Sequence, residues 1–340
     1  MRVPARVRGT LALALALAAA AARAQPAPAP ATEAERPWSL DLTVHDFGIG
    51  IGNSAHVDGL RLNFRDFAPC TVHGINLTIW GPADGAWGES YGISLGLPVT
   101  GSGRVRGIAL GAFGVAAEKE ISGIGIGVLG LGSGGSLHGI LVGGLGMGAG
   151  GGGAIRGIAI GGLGVGSGGG ITGIAIGGLG VGTGGVARGI LFGGLGAGAG
   201  GNIDGIVAGL AGVGAGGRIR GIAIGGLGIG SGGGIEGIAV AGLGAGAPRI
   251  RGVVAALTAG GQDIEGLILA PAYFQVSEGG SMTGVSISAV NRNLGEQRGI
   301  AIGVVNYTPS LHGVQIGVVN IALNNPAGLK VLPVVNAHFD

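Results

Sequence analysis

Cys70 is the only cysteine in the chain, so no intrachain disulfide can brace the fold, even in an exported compartment that would permit one. Lysine is almost missing, with Lys119 and Lys330 alone. Without a basic stripe, binding to nucleic acid has no electrostatic support. Aromatic residues make up 4% of the chain, and between Arg104 and Gly260 only Phe113 and Phe192 occur. A transmembrane β-barrel, the main alternative to the fold argued below, would lack its interfacial aromatic girdles over that stretch. No G-x-x-x-x-G-K-[ST] string is present. Strings matching G-x-G-x-x-G, such as Gly164 to Gly169, are what 85 glycines in 340 residues produce by chance; a dinucleotide site needs a strand before, a helix after and an acid about 20 residues on. Calcium-binding nonapeptide coils need an Asp in every repeat, and the middle of the chain has none of that regularity. These absences predict no cofactor, no metal and no catalysis.

What is present is repetition. Ile155 to Gly234 reads IRGIAIGGLGVGSGGG, ITGIAIGGLGVGTGGV, ARGILFGGLGAGAGGN, IDGIVAGLAGVGAGGR, IRGIAIGGLGIGSGGG, five near-copies of a 16-residue unit. A unit this short cannot bury its own apolar residues and must stack on the next. Glycine-rich chains are commonly disordered, but here Ile, Leu and Val recur in fixed phase, unlike flexible low-complexity chains. Glycine does not fall at every third position, which excludes collagen. A landmark glycine, after a polar and before an apolar residue as in Arg156-Gly157-Ile158, recurs from Gly59 to Gly328 at steps of 14 to 18 residues. The repeat therefore spans one domain of about eighteen units.

The ends differ. Residues 1–24 carry Arg2, Arg6 and Arg8 before the apolar run Leu11 to Ala22 and close on Ala22-Arg23-Ala24, the pattern of a signal peptide cut after Ala24. The run is about 12 residues, short of the roughly 20 needed to span a bilayer. Removing that segment takes away four Arg and no acid, turning +2 into about −2. Residues 25–37 form a Pro/Ala-rich tether. Residues 38–340 are then a single repeat domain, with an N-terminal cap at 38–56 and a C-terminal cap at 328–340. Pro333, which has no N–H to donate, suits a terminal, unpaired strand.

Within a unit, GIAIGG places apolar residues two apart and LGVG does so again, but the Gly-Gly between them shifts the phase by one. Two short strands separated by a corner explain this, since side chains alternate strictly with period two. The reading is an all-β, parallel β-solenoid of coils about 15–16 residues long. At about 4.8 Å per coil, eighteen coils reach about 85 Å. The residue before the landmark glycine supports parallel stacking: Arg188, Asp204, Arg220, Glu236, Arg251 and Glu265 alternate in sign. Parallel coils turn that string into one ladder of opposite neighbours. His73, His138 and His312 share the ladder position several coils apart and cannot share a metal. Ile158, Ile160, Leu163 and Val165 are expected inside, with Ala159, Gly161 and Gly164 outside. That outer Gly/Ala face is the expected site of self-association or of docking on an envelope partner. Asn291, Asn306 and Asn320 are expected at the positions of Gly164 and Gly180, at a corner, where Asn tolerates left-handed backbone and a stacked ladder can hydrogen-bond.

The units Gly313 to Asn320 (GVQIGVVN) and Gly157 to Gly164 (GIAIGGLG), with the ending LPVVNAHFD, resemble exported bacterial surface-repeat proteins built from G-[VL]-Q-[IL]-G-[LV]-[VI]-N units. The similarity covers most of the chain after the signal peptide. It implies a cell-envelope repeat protein and brings no catalytic residues. The middle departs from the pattern, with Gly for Asn and Ala for Gln. A weaker similarity is to the β-roll head repeats of trimeric adhesins, without their heptad stalk.

The expected function is therefore an exported repeat protein of the periplasm, outer membrane or cell surface, with a structural or adhesive role and no small-molecule cofactor. The alternative is a carbohydrate-binding or polysaccharide-acting solenoid. Its candidate residues are Trp80, Asp84, Trp87, Glu89 and Tyr91, in an 18-residue unit whose extra length must bulge outward as a loop.

Overall fold

The computed structural model describes residues 38–339; the signal peptide and tether read at residues 1–37 lie outside them. The described chain is all β, with no helix, and winds through about 17 turns of a parallel β-solenoid. A middle turn has a long strand such as Ile155–Gly161, a Gly-Leu corner, a short strand such as Gly164–Ser167, and a glycine-rich corner leading to the next long strand, Ile171–Gly177. Long pairs with long and short with short, residue for residue: Ile155 lies beside Ile171, and Gly164 beside Gly180. Between the two terminal strands the pairing is parallel from Phe47–Gly52 to Ser310–Ala322, which removes the barrel.

The landmark glycines make the stack possible. From Gly59 to Gly313 they lie in register, at positive φ of 112 to 148°. A Cβ added to any of them would stand only 1.9–2.3 Å from the carbonyl oxygen of the landmark glycine one turn earlier. The column is thus closed to side chains twice over, by backbone angle and by contact. Gly48 belongs to this column through its pairing with Gly59. Gly328 does not; it sits in a turn, where an added Cβ would meet nothing within 4 Å.

The faces are reversed from the sequence expectation over the long strand. Ala159 is completely buried and Gly161 is buried, while Ile158 is half-buried, Ile160 is 38% exposed and Leu163 is 51% exposed. Val165 is inside and Gly164 is at the outer surface, as expected. In this turn Ile155, Val165 and Ser167 point inward with Ala159, and in other turns the Ala159 column carries Leu141 and Leu191, both completely buried. Ile155, Ile171, Ile203, Ile219 and Ile235 stack as one buried column, and they share the parity of Ala159, not of Ile160. The Gly/Ala face expected to mediate association is therefore interior.

Both ends of the stack turn antiparallel. Ser39–Val44 forms a hairpin with Phe47–Gly52, which then pairs in parallel with His56–Asn63. Val331–His338 folds back antiparallel on Ser310–Ala322, so the strand holding Pro333 is paired along one edge rather than unpaired; Pro333 itself falls at a register irregularity.

Toward the C-terminus the core becomes polar. Asn291, Asn306 and Asn320 continue the buried column of Val165, one residue away from the Gly164 position expected for them, and none has positive φ. The expected ladder does form: Asn291 Nδ2 donates to Asn306 Oδ1 at 2.7 Å, and Asn306 Nδ2 to Asn320 Oδ1 at 2.7 Å. Asn306 also donates to the Ile316 carbonyl at 3.0 Å. Replacing Asn306 by Val strands the side-chain carbonyl of Asn320 in a dry core, at a cost of about 1–3 kcal/mol, while the Asn291 amide keeps its bond to the Ile302 carbonyl at 3.0 Å. Urea unfolding of the Asn306→Val chain is expected to read that loss. Asn306→Val with Asn320→Val should cost less than the two separately, since they share a bond.

Candidate functional site

The N-terminal loop comes first, as the sequence's candidate. The strand Thr71–Thr78 ends one turn and Glu89–Gly96 begins the next, with residues 79–88 bridging them. Trp87 is half-buried: a methyl built on Gly101 would stand 3.4 Å from its ring and 3.3 Å from Pro82. The loop thus packs against the strand holding Gly101. Trp87 is half-buried against the strand, whereas Trp80 and Asp84 are exposed at the surface.

Glu89 and Tyr91 are drawn into a separate cluster on the strand itself. The Tyr91 hydroxyl donates to Glu89 Oε2, and Arg104 Nη1 donates to Glu89 Oε1 at 2.9 Å. The Tyr91 hydrogen bond and the Arg104 guanidinium hold the Glu89 carboxyl below its ordinary range, and the same bond to Glu89 raises the Tyr91 phenol. Arg106 lies over the Tyr91 ring at 5.7 Å, and His73 packs on its other neighbour side at 4.9 Å between centroids. His73 Nδ1 lies 2.8 Å from Asp58 Oδ1. Glu89 is paired across to Arg104 and His73 to Asp58 on adjacent turns, while the Tyr91 hydroxyl bonds Glu89 on its own strand. The five candidate residues therefore divide into an anchored loop with two exposed members and a ladder segment.

Beneath this cluster is a feature that sequence reasoning missed. Arg61 is completely buried, donating to Asp66 Oδ1 at 2.6 Å and to Asn76 Oδ1 at 3.3 Å. It occupies the column of Ala159, through Asn76, Ser94, Ala109, Gly125 and Leu141. Once the parity of that column is known, Arg61 reads as an interior residue. The assembly packs the first turns as a paired, hydrogen-bonded core.

The charge ladder stacks as expected. Arg188 Nε lies 3.8 Å from Asp204, Arg220 Nη1 lies 3.5 Å from Asp204 and its Nε 3.0 Å from Glu236, and Arg251 Nε lies 3.2 Å from Glu265. His138 and His312 occupy the same column, each beside an arginine of the neighbouring turn, Arg156 and Arg298. Among the described residues no group of three or more His, Cys, Asp or Glu is placed to hold a metal.

The largest chemical feature is the outer face of the long strands. Three apolar columns run along it: Ile158 with Ile174, Ile190, Ile206, Ile222 and Ile238; Ile160 with Ile176, Phe192, Ile224 and Val240; and the corner leucines Leu163, Leu179, Leu195, Leu227 and Leu243. Exposure reaches 46% at Phe192 and 56% at Leu195 and Leu227. Similar residues extend the face to both ends, where it dips into apolar hollows: about 640 Å³ lined by Ile287, Ile302, Val304 and Val318, and about 450 Å³ lined by Ile51, Leu62, Leu77 and Ile79. Nothing in the described chain covers it. Scattered apolar residues are normal on surfaces, but here they line up in columns along the described stack.

Fold and surface together define a class: a parallel β-solenoid with a polar charge rim and one apolar face. Comparison with protein-family models, with curated proteins and with solved structures finds no match.

Proposed function

We propose that this chain is an exported repeat protein of the bacterial cell envelope or surface, with a structural or adhesive role exercised by docking and not by catalysis. The observation that carries the reading is the apolar face of Ile, Val and Leu columns that runs the length of the solenoid uncovered. Burial of such a face is worth roughly 25 cal/mol per Å², ample drive for association with an apolar partner. The leader-like residues 1–24 and the similarity to surface-repeat proteins support export. The absence of a converging acid–base pair in the Glu89 cluster is consistent with a protein that binds.

The test is fractionation of native cells followed by protease shaving of intact cells, with the wild type compared to a chain carrying Ile176→Lys, Ile224→Lys and Leu257→Lys. The expected result is wild type in the envelope fraction and the folded variant released to the soluble fraction. Equal distribution of the two chains would remove the face from the function. A second reading, polysaccharide binding, rests on Trp80, which is 49% exposed at the loop surface. It expects co-sedimentation with insoluble glycan that Trp80→Ala abolishes.

A further inference from the structure

The residue before each landmark glycine rims the apolar face, because the first apolar column follows directly after that glycine, as in Arg188-Gly189-Ile190. Over consecutive turns the rim reads Thr172, Arg188, Asp204, Arg220, Glu236, Arg251, Glu265, Thr283, each in register with the next. Read in the opposite direction, the same string has every charge inverted and a threonine still at each end. Such a string is its own complement. A two-fold axis perpendicular to the solenoid maps each turn of one copy onto a turn of another in reverse order, and isologous interfaces are built in this way.

With the axis between Arg220 and Glu236, Arg220 faces the second copy's Glu236, Asp204 faces Arg251, Arg188 faces Glu265, and Thr172 faces Thr283. A slip of one turn brings like charges together along the rim, which is costly. Parallel copies related by an axis along the solenoid put the two rims on opposite edges of the contact, where they never meet. The in-chain pairs do not exhaust these groups: the Arg188, Arg251 and Glu265 side chains remain 65%, 64% and 59% exposed. One turn beyond the threonines, Arg156 faces Arg298, which is already neutralised by Glu296 at 2.9 Å.

We infer that two copies of this chain associate through the apolar face, antiparallel, about a two-fold axis between Arg220 and Glu236. This rests on the reading of that face as a docking surface and names its occupant. The area fits. In this register the turns from His138 to His312 overlap, about 12 turns or about 58 Å at ~4.8 Å each, and the face is about 17 Å wide at ~3.3 Å per residue. That is roughly 1,000 Å² per copy, above the ~800 Å² per partner of a standard specific interface. A lipid surface is the weaker fit, because a rim of three cations and three anions has no net attraction for anionic headgroups.

Cross-linking of the chain without its leader tests the geometry, using Thr172→Cys and Thr283→Cys. Both positions are exposed, and Cys70 is shielded at 5% exposure. In the antiparallel dimer Thr172 of one copy opposes Thr283 of the other, whereas the two Thr172 positions are seven turns apart, about 34 Å. A thiol cross-linker of about 10 Å is expected to leave each single variant uncoupled and to join them when the two are mixed. Sedimentation should show a dimer for the wild type and a monomer for Ile224→Lys. Self-coupling of either single variant would overturn the antiparallel register. A wild type that stays monomeric at about 100 μM overturns the dimer. If that monomer floats with phosphatidylethanolamine–phosphatidylglycerol vesicles and Ile224→Lys does not, docking stands and only the occupant changes. If the two chains behave alike with vesicles and in cell fractionation, the docking reading falls as well.

Discussion

Gly205→Ala is expected to unfold the middle turns, while Gly214→Ala, nine residues on, leaves the protein as stable as before or slightly more so. The two glycines look alike in the sequence, each followed by a small or apolar residue in the same repeat. Gly205 has φ of 133°, and an added Cβ would stand 2.2 Å from the Gly189 carbonyl oxygen. That oxygen belongs to the backbone of the preceding turn and is paired into the stack, so it cannot move without opening the ladder on both sides. Strain at the backbone angle costs about 1–3 kcal/mol and the overlap a similar amount, together about 2–6 kcal/mol. At Gly214 an added Cβ meets nothing within 4 Å, and φ is not positive. There the alanine restricts the unfolded chain and gains a few tenths of a kcal/mol to about 1 kcal/mol. Thermal unfolding followed by far-UV circular dichroism reads both, and equal effects at the two sites would contradict the stacked-glycine column.

Ala175→Lys should be as damaging, and its neighbour is the control. Ala175 is completely buried, stacked between Ala159 and Leu191. A lysine there takes an ammonium group into a narrow apolar interior with no counter-charge, an effective penalty of several kcal/mol. It also overfills a turn in which Ile171 and Val181 already occupy the core. The expected result is an insoluble or unfolded chain. Ile176→Lys, one residue later, places the same group on the outer face, where the stem lies along Ile160 and Phe192 and the charge reaches water. That chain should keep its β-sheet signal and, apart from what dimerisation contributes, unfold within about 1 kcal/mol of the wild type. Were the inside-out arrangement of the sequence expectation correct, the ranking would be the reverse. The pair therefore decides which parity of the repeat faces the core.

The repeat, its 16-residue period, the parallel stacking and the charge ladder are all legible in the sequence. Each depends on a recurrence along the chain: a landmark glycine at near-constant spacing, a phase shift between two alternating strings, and a sign that flips once per turn from Arg188 to Glu265. The hydrogen-bonded asparagine ladder was legible for the same reason, although its column was misplaced by one residue. The candidate loop was located by its extra length. What it does was not legible, because packing of Trp87 over Gly101 joins residues of two different turns.

Period, phase shift and the alternating charge before the landmark glycine by themselves pointed to a stack of parallel β-coils, because a unit so short must bury its apolar residues against its neighbours. Which half of the alternating residues faces inward was decided only by the tertiary structure. A period of two is blind to that choice, and hydrophobicity alone favours the larger side chains inside. With Ile155, Ala159, Gly161 and Val165 turned inward, Ile158 and Ile160 are carried outward together with the corner Leu163. Those residues become the apolar face, because successive side chains of one strand must point to opposite sides.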